Sequence, residues 1–175
     1  MKLPLLLLSS FLLIAGCSEK ESTATSPTDQ PTVTDAQLYQ MVLTTPKAAF
    51  YKNSTDTIAG NSGGAHAAKI LVWYNAKAAT QLDAQGKVKS NPTFPDSSLI
   101  VKQIFTSTNA TTAYAILLKL RKATNAGAGG WVWSEVNANG TPLASANTKG
   151  AGCSGCHSTG SGLNFDYTRM NDSHP

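Results

Sequence analysis

Near the C-terminal end of the 175-residue chain stands Cys153-Ser154-Gly155-Cys156-His157, a C-x-x-C-H sequence followed only by residues 158–175. In a helical turn, thiols three positions apart point to one side, with the adjacent histidine beneath them. Such a pair can add to the two vinyl groups of haem while the imidazole binds the iron, so the spacing reads as a c-type haem attachment site. Three blander readings compete: a redox Cys-x-x-Cys pair, half of a zinc site, and a structural disulfide. A structural zinc site takes four ligands, and only Cys17 remains as a further cysteine. A thioredoxin-like pair belongs to a strand-helix βαβ setting. Here a Gly/Ser/Ala loop leads in and Ser158-Thr159-Gly160-Ser161-Gly162 leads out. One covalent haem c is therefore expected, with Cys153 and Cys156 holding the ring and His157 as proximal iron ligand.

The other end of the chain agrees with this chemistry. Residues 1–17, MKLPLLLLSSFLLIAGC, give one basic residue, an apolar run and then small residues before a cysteine, the pattern of an export signal. A transmembrane anchor is the weaker reading, because the run is short for a span of about 20 residues. Ile14-Ala15-Gly16-Cys17 resembles the bacterial lipobox, which implies cleavage after Gly16, lipid on Cys17 and, with Ser18 next, sorting to the outer membrane. Several acyl chains on one cysteine make a stable anchor, whereas one is marginal. Lipid at Cys17 and haem at Cys153 and Cys156 together account for every cysteine. The net charge of +4 and a charged fraction of 14% are too weak and dispersed for nucleic-acid binding.

The boundaries expected are a signal peptide over 1–16, a tether over 17–33 and a single domain over 34–175. The tether, SEKESTATSPTDQPTV after Cys17, is rich in Ser, Thr and Pro and almost without apolar residues. Thr34 with Gln37 has the form of a capping box, and Leu38, Met41 and Val42 recur at helical spacing until Pro46. Met41 reads as core rather than as an iron ligand, since one apolar face already explains it. Residues 48–64 form a polar loop. Strands are expected over 69–75, 98–106, 113–120 and 130–136, with a short helix over 76–82. In the third strand Tyr114, Ile116, Leu118 and Leu120 share one side, and Asn137-Ala138-Asn139-Gly140 closes the fourth. The fold class is α+β, mainly β: an antiparallel sheet with a few short helices and the C-x-x-C-H turn at its C-terminal end.

This arrangement differs from small helical cytochromes, which carry the motif early and a methionine ligand well downstream. Here Met170 alone follows His157, and the long amphipathic helices of bundle cytochromes are missing from the pattern. The chain resembles the cytochrome P-460 family, which includes the β-sheet cytochromes c′-β. The matching residues are Val72-Trp73-Tyr74-Asn75, Phe94-Pro95-Asp96 with Leu99-Ile100-Val101-Lys102, Gly129-Gly130-Trp131-Val132-Trp133, the C-x-x-C-H motif, and Asp166-Tyr167. The resemblance implies one haem c, His157 as proximal ligand, a largely β fold and an open or weakly occupied distal site. Its members oxidise hydroxylamine or bind gases such as nitric oxide and carbon monoxide. It also implies a lysine bonded to the haem ring just before the aromatic-Pro-Asp turn. The nearest upstream lysine here is Lys89, displaced by several residues, and the reading favours no cross-link.

Haem function is set by axial ligands, distal polarity and access. The distal candidates are Phe94, His66, Lys89, Lys102 and Glu135. His66 lies in the flexible Gly63-Gly64-Ala65-His66-Ala67 and is either the sixth iron ligand or an exposed loop residue. Lys102 reads as a strand residue pointing to solvent or to a ring propionate. Glu135 shares a strand face with Trp131 and Trp133, and either meets the haem as a proton acceptor or faces water. The three tryptophans read as core or haem-wall packing, and His174 as frayed tail. Two functions follow: open iron that takes a small gas or nitrogen compound as ligand or substrate, acting as an oxidoreductase in the second case, or a six-coordinate electron carrier. Both imply a periplasmic redox partner and a membrane held through lipid. The chain is compatible with a monomer or a homodimer.

Overall fold

A computed structural model describes residues 30–60, 66, 69–159 and 162–168. Its centre is an antiparallel sheet of seven strands: β1 (Ala49–Phe50), β2 (Ile58–Ala59), β3 (Lys69–Tyr74), β4 (Leu99–Phe105), β5 (Thr111–Lys119), β6 (Trp131–Asn137) and β7 (Pro142–Ala144). The order is β1-β3-β4-β5-β6-β7, with β2 also paired to β3. The helices are short: α1 (Asp35–Thr44), α2 (Ala76–Ala79) and α3 (Ser154–His157). The α+β, mainly β expectation holds. Two details differ. The expected polar loop over 48–64 contributes β1 and β2 to the edge of the sheet, and the helix after Asn75 stops at Ala79. The signal peptide, Cys17 and almost all of the tether lie outside the described residues.

The period-two alternation of the strands gives the sheet two faces. On one, Trp73, Val101, Ile116, Leu118, Val132 and Val136 form a core against Leu38 and Val42 of α1, with Tyr114, Met41 and Leu120 packed at its margin. Helix α1 is fixed at its start. Thr34 and Gln37 make the expected reciprocal capping box. At the first helical position Asp35 accepts from Ser134 Oγ, Ser145 Oγ and the Ala146 amide, each at 2.7 Å. The segment before the helix is tied down by Asn125, whose amide group bonds both the N–H and the carbonyl of Val33.

The opposite face carries the second core. Tyr74, Ile100, Leu117 and Trp133 stand in one row across β3 to β6. Beyond them Trp131, Phe94, Tyr51, Ala78 and Val88 complete a buried cluster, against which Cys153, Phe165 and Tyr167 pack. The segment between α2 and β4 therefore covers this face. Arg121 holds it there, with Nη2 donating to the Phe94 carbonyl and Nη1 to Asp96 Oδ1, both at 2.7 Å.

Candidate haem site

The C-x-x-C-H sequence folds as a single helical turn. Cys153 is its N-cap, Cys156 and His157 lie within it, and the His157 amide bonds the Cys153 carbonyl at 3.0 Å. Gly150, at φ +78°, brings the turn onto the sheet: a Cβ there would stand 2.6 Å from Trp133 Cδ1. Cys153 is half-buried and Cys156 exposed, and neither is in a disulfide. Burial, with the Glu135 carboxylate as a second cause, raises the Cys153 pKa and keeps the thiol protonated.

His157 is oriented from two sides. Its ring meets the Trp133 ring edge to face, with centroids 5.1 Å apart and an interplanar angle of 87°. Its Nδ1 lies 2.6 Å from the Tyr167 carbonyl oxygen. A carbonyl only accepts, so the proton is on Nδ1 and the lone pair on Nε2, the tautomer that a metal-ligating histidine takes.

Next to the Tyr74 row is a polar one. Val72, Lys102, Ala115, Glu135 and Ala144 stand opposite one another on successive strands. Lys102 and Glu135 thus share the face of the aromatic cluster, with the small Ala115 between them. Glu135 turns inward, its side chain 21% exposed. Burial raises its pKa, and Lys102 partly opposes that rise. His66 is brought to the same place, Nδ1 lying 3.9 Å from Glu135 Oε2. Burial, followed by electrostatic interaction with Lys102 and His157, lowers its pKa to about 4. The imidazole is therefore neutral at neutral pH, and 3.9 Å is too long for a hydrogen bond, so the contact is not an ion pair.

The structure brings Cys153, His157, Glu135, Lys102 and His66 together. Lys102 faces this cluster rather than open water. Phe94 is fully buried and meets Trp131 edge-on at 5.3 Å, forming the aromatic wall. Lys89 is elsewhere: it is exposed, and its Nζ donates to the Thr80 carbonyl at 3.1 Å. Three further neighbours were not singled out as site residues in the sequence, Tyr74 and Asp166 entering only among those that carry the family resemblance. Lys119 and Asp166 hold the turn that carries the Tyr167 carbonyl, and Tyr74 contributes a buried hydroxyl whose pKa burial raises. Strand parity alone puts Lys119 on the face away from Leu118 and Leu120, and the register of β5 with β6 then sets it beside Trp131.

These residues fit a haem. Cys153 packs on the aromatic cluster, the exposed Cys156 lies one turn on, and the correctly protonated imidazole meets Trp133. The hydroxyls of Tyr51 and Tyr74 and the indole Nε1 of Trp133 are buried in that same cluster without hydrogen-bond partners. They are donors of the kind that ring carboxylates satisfy. In comparisons with known proteins, no family model and no curated protein matches the chain.

Proposed function

We propose that this chain is an exported mono-haem c protein of the cytochrome P-460-like class, anchored through lipid on Cys17, most simply on the periplasmic side of the outer membrane. Its ligand is a small gas or nitrogen compound such as nitric oxide or hydroxylamine, and its electrons pass to a periplasmic redox partner. The observation that carries the reading is the C-x-x-C-H turn itself: His157 gives Nδ1–H to the Tyr167 carbonyl and keeps a lone pair on Nε2, beside the two thiols. When bound, haem supplies an iron with a coordination position for the ligand and one-electron redox chemistry.

The chain's own groups do the rest. Cys153 and Cys156 would hold the ring by thioethers, and His157 would be the ligand to its iron. Phe94, Trp131 and Trp133 exclude water from the wall. Glu135, a carboxyl made easier to protonate by burial, accepts or returns a proton at its Oε atoms. The Lys102 ammonium counters negative charge on the same face. Protein matured with haem-attachment machinery is expected to retain haem through denaturation and acid-acetone extraction, and to bind carbon monoxide when reduced. Complete extraction would sink the assignment.

The alternative is a six-coordinate electron carrier, and one observation favours it: His66 is neutral and within electrostatic reach of His157. A low-spin ferrous spectrum unaltered by carbon monoxide in the wild type, and opened to it in His66→Ala, would select this second reading.

A further inference from the structure

The turn at Asp166-Tyr167 presents one carbonyl to His157, and its backbone is unusual. Both residues have positive φ, 50° and 64°, a region that side-chain-bearing residues occupy only when their surroundings hold them there. The hold comes from β5 and β6. Lys119, with a side chain 4% exposed, donates to Asp166 Oδ2 at 2.5 Å and to the Gly129 carbonyl at 2.6 Å. Its Nζ lies 4.7 Å from the centroid of the Trp131 ring, while Trp131 Nε1 donates to the Asp166 carbonyl at 2.9 Å. Asp166 is thus gripped at both its carboxylate and its backbone. The Tyr167 ring lies over Gly129, where a Cβ would come within 2.7 Å of Tyr167 Cδ2.

We propose that Lys119 and Asp166 are positioning residues for His157. Through the turn they fix the Tyr167 carbonyl, which holds the proton on Nδ1 and sets both the direction and the donor strength of Nε2. The inference rests on the haem reading above. A buried ion pair is seldom a better source of stability than apolar residues of the same shape, so its value here is the place in which it puts the acceptor. A bond from Nδ1–H to a fixed acceptor makes imidazole a stronger donor, and a stronger donor favours the ferric state.

The test uses the full haem-loaded protein with Lys119→Met, Asp166→Asn and the double variant. Three measurements are made on each: urea unfolding, the iron–histidine stretching frequency of the ferrous form by resonance Raman, and the midpoint potential. Each single variant leaves a buried charge unpaired and is expected to lose stability. The double variant leaves neither charge and is expected to regain much of that loss. It is still expected to show a lower iron–histidine frequency and a raised potential, because the carbonyl is no longer fixed. If the double variant shows the wild-type frequency and potential, the pair is structural and the proposal is overturned. Should Lys119→Met fail to fold, Asp166→Asn and the double variant decide the matter on the same two spectroscopic and redox readouts. A wild-type protein without covalent haem overturns the underlying reading instead, and is recognised before any variant is made.

Discussion

Lys102 and Glu135 stand in one row of the sheet, on β4 and β6, with only the methyl group of Ala115 between them. Two strand spacings separate their backbones by roughly 9–10 Å. That is close enough for the ammonium to ease ionisation of the carboxyl, and far enough to leave room over Ala115. A cation and a proton acceptor therefore flank one small patch of the face that Cys153 and His157 adjoin.

The placement of the two lysines bears on whether an amine joins the haem ring. Lys89 is committed to the Thr80 carbonyl on the surface, whereas Lys102 faces the site. Tryptic digestion is expected to release haem on the Cys153–Cys156 peptide alone, with Lys89→Ala giving the same haem peptide and the same spectrum. A heavier haem peptide containing residue 102 would show an attachment made by the lysine of the strand.

Glu135 should give the protein a pH dependence of defined sign. Its folded pKa is raised by burial, so the folded chain binds this proton more tightly than the unfolded chain does. The resulting stabilisation is full below the ordinary glutamate value of about 4.3 and is lost as pH rises through the raised value. Glu135→Gln is expected to remove that slope from urea-unfolding midpoints measured across acid to neutral pH, and to flatten the acid limb of ligand-binding rates. Lys102→Met, by deleting the opposing charge, is expected to move the limb to higher pH. A limb unchanged in Glu135→Gln would assign it to another group.

Asp35 should behave in the opposite sense. Burial alone would raise its pKa, but the hydrogen bonds from Ser134, Ala146 and Ser145 outweigh burial and lower it. Its contribution is present above the ordinary aspartate value of about 3.9 and is lost as pH falls through the lowered one. Asp35→Ala is expected to cost on the order of 1.5–3 kcal/mol at neutral pH, the range for hydrogen bonds to a charged group. The cost should shrink in acid. An equal loss at both pH values would mean that packing, and not the carboxylate, ties α1 to the sheet.

Gly150 and Gly152 separate backbone strain from collision. Both have positive φ, +78° and +82°, but a Cβ at 150 meets the Trp133 ring whereas one at 152 meets nothing within 4 Å. Each alanine substitution is expected to cost about 1–2 kcal/mol for the left-handed conformation. Only Gly150→Ala should cost more and lower the yield of covalent haem, read by haem absorbance per mole of protein. Equal yields would show that the turn can move away from Trp133 without consequence.

Much of this was legible in the sequence because alternation is a strong signal. Tyr114, Ile116, Leu118 and Leu120 do share one core, and the parity of 131, 133 and 135 correctly put Glu135 with the two tryptophans. Alternation separates two faces but does not say what covers them. Here both are covered, which is why Lys102 was left between solvent and a ring propionate, and Lys119 went unnoticed although it is almost wholly buried. Strands β1 and β2, two residues each, are too short to show a period. Lys89 was a candidate by sequence distance to Phe94, but Gln81 and Thr80 claim its backbone and side chain.

The order of parts along the chain carries a consequence for maturation. Strands spanning residues 49–144 come first, the thiols at 153 and 156 next, and the carbonyl that receives the His157 proton only at 167. For a chain exported N-terminus first, as proposed, the receiving sheet can assemble before the thiols emerge. The thiols are then presented on a segment whose closing residues have yet to dock. On the haem reading proposed above, this order lets thioether formation precede the locking of the axial ligand. A chain cut after residue 157 would keep the chemistry of attachment and lose the acceptor that aims the imidazole.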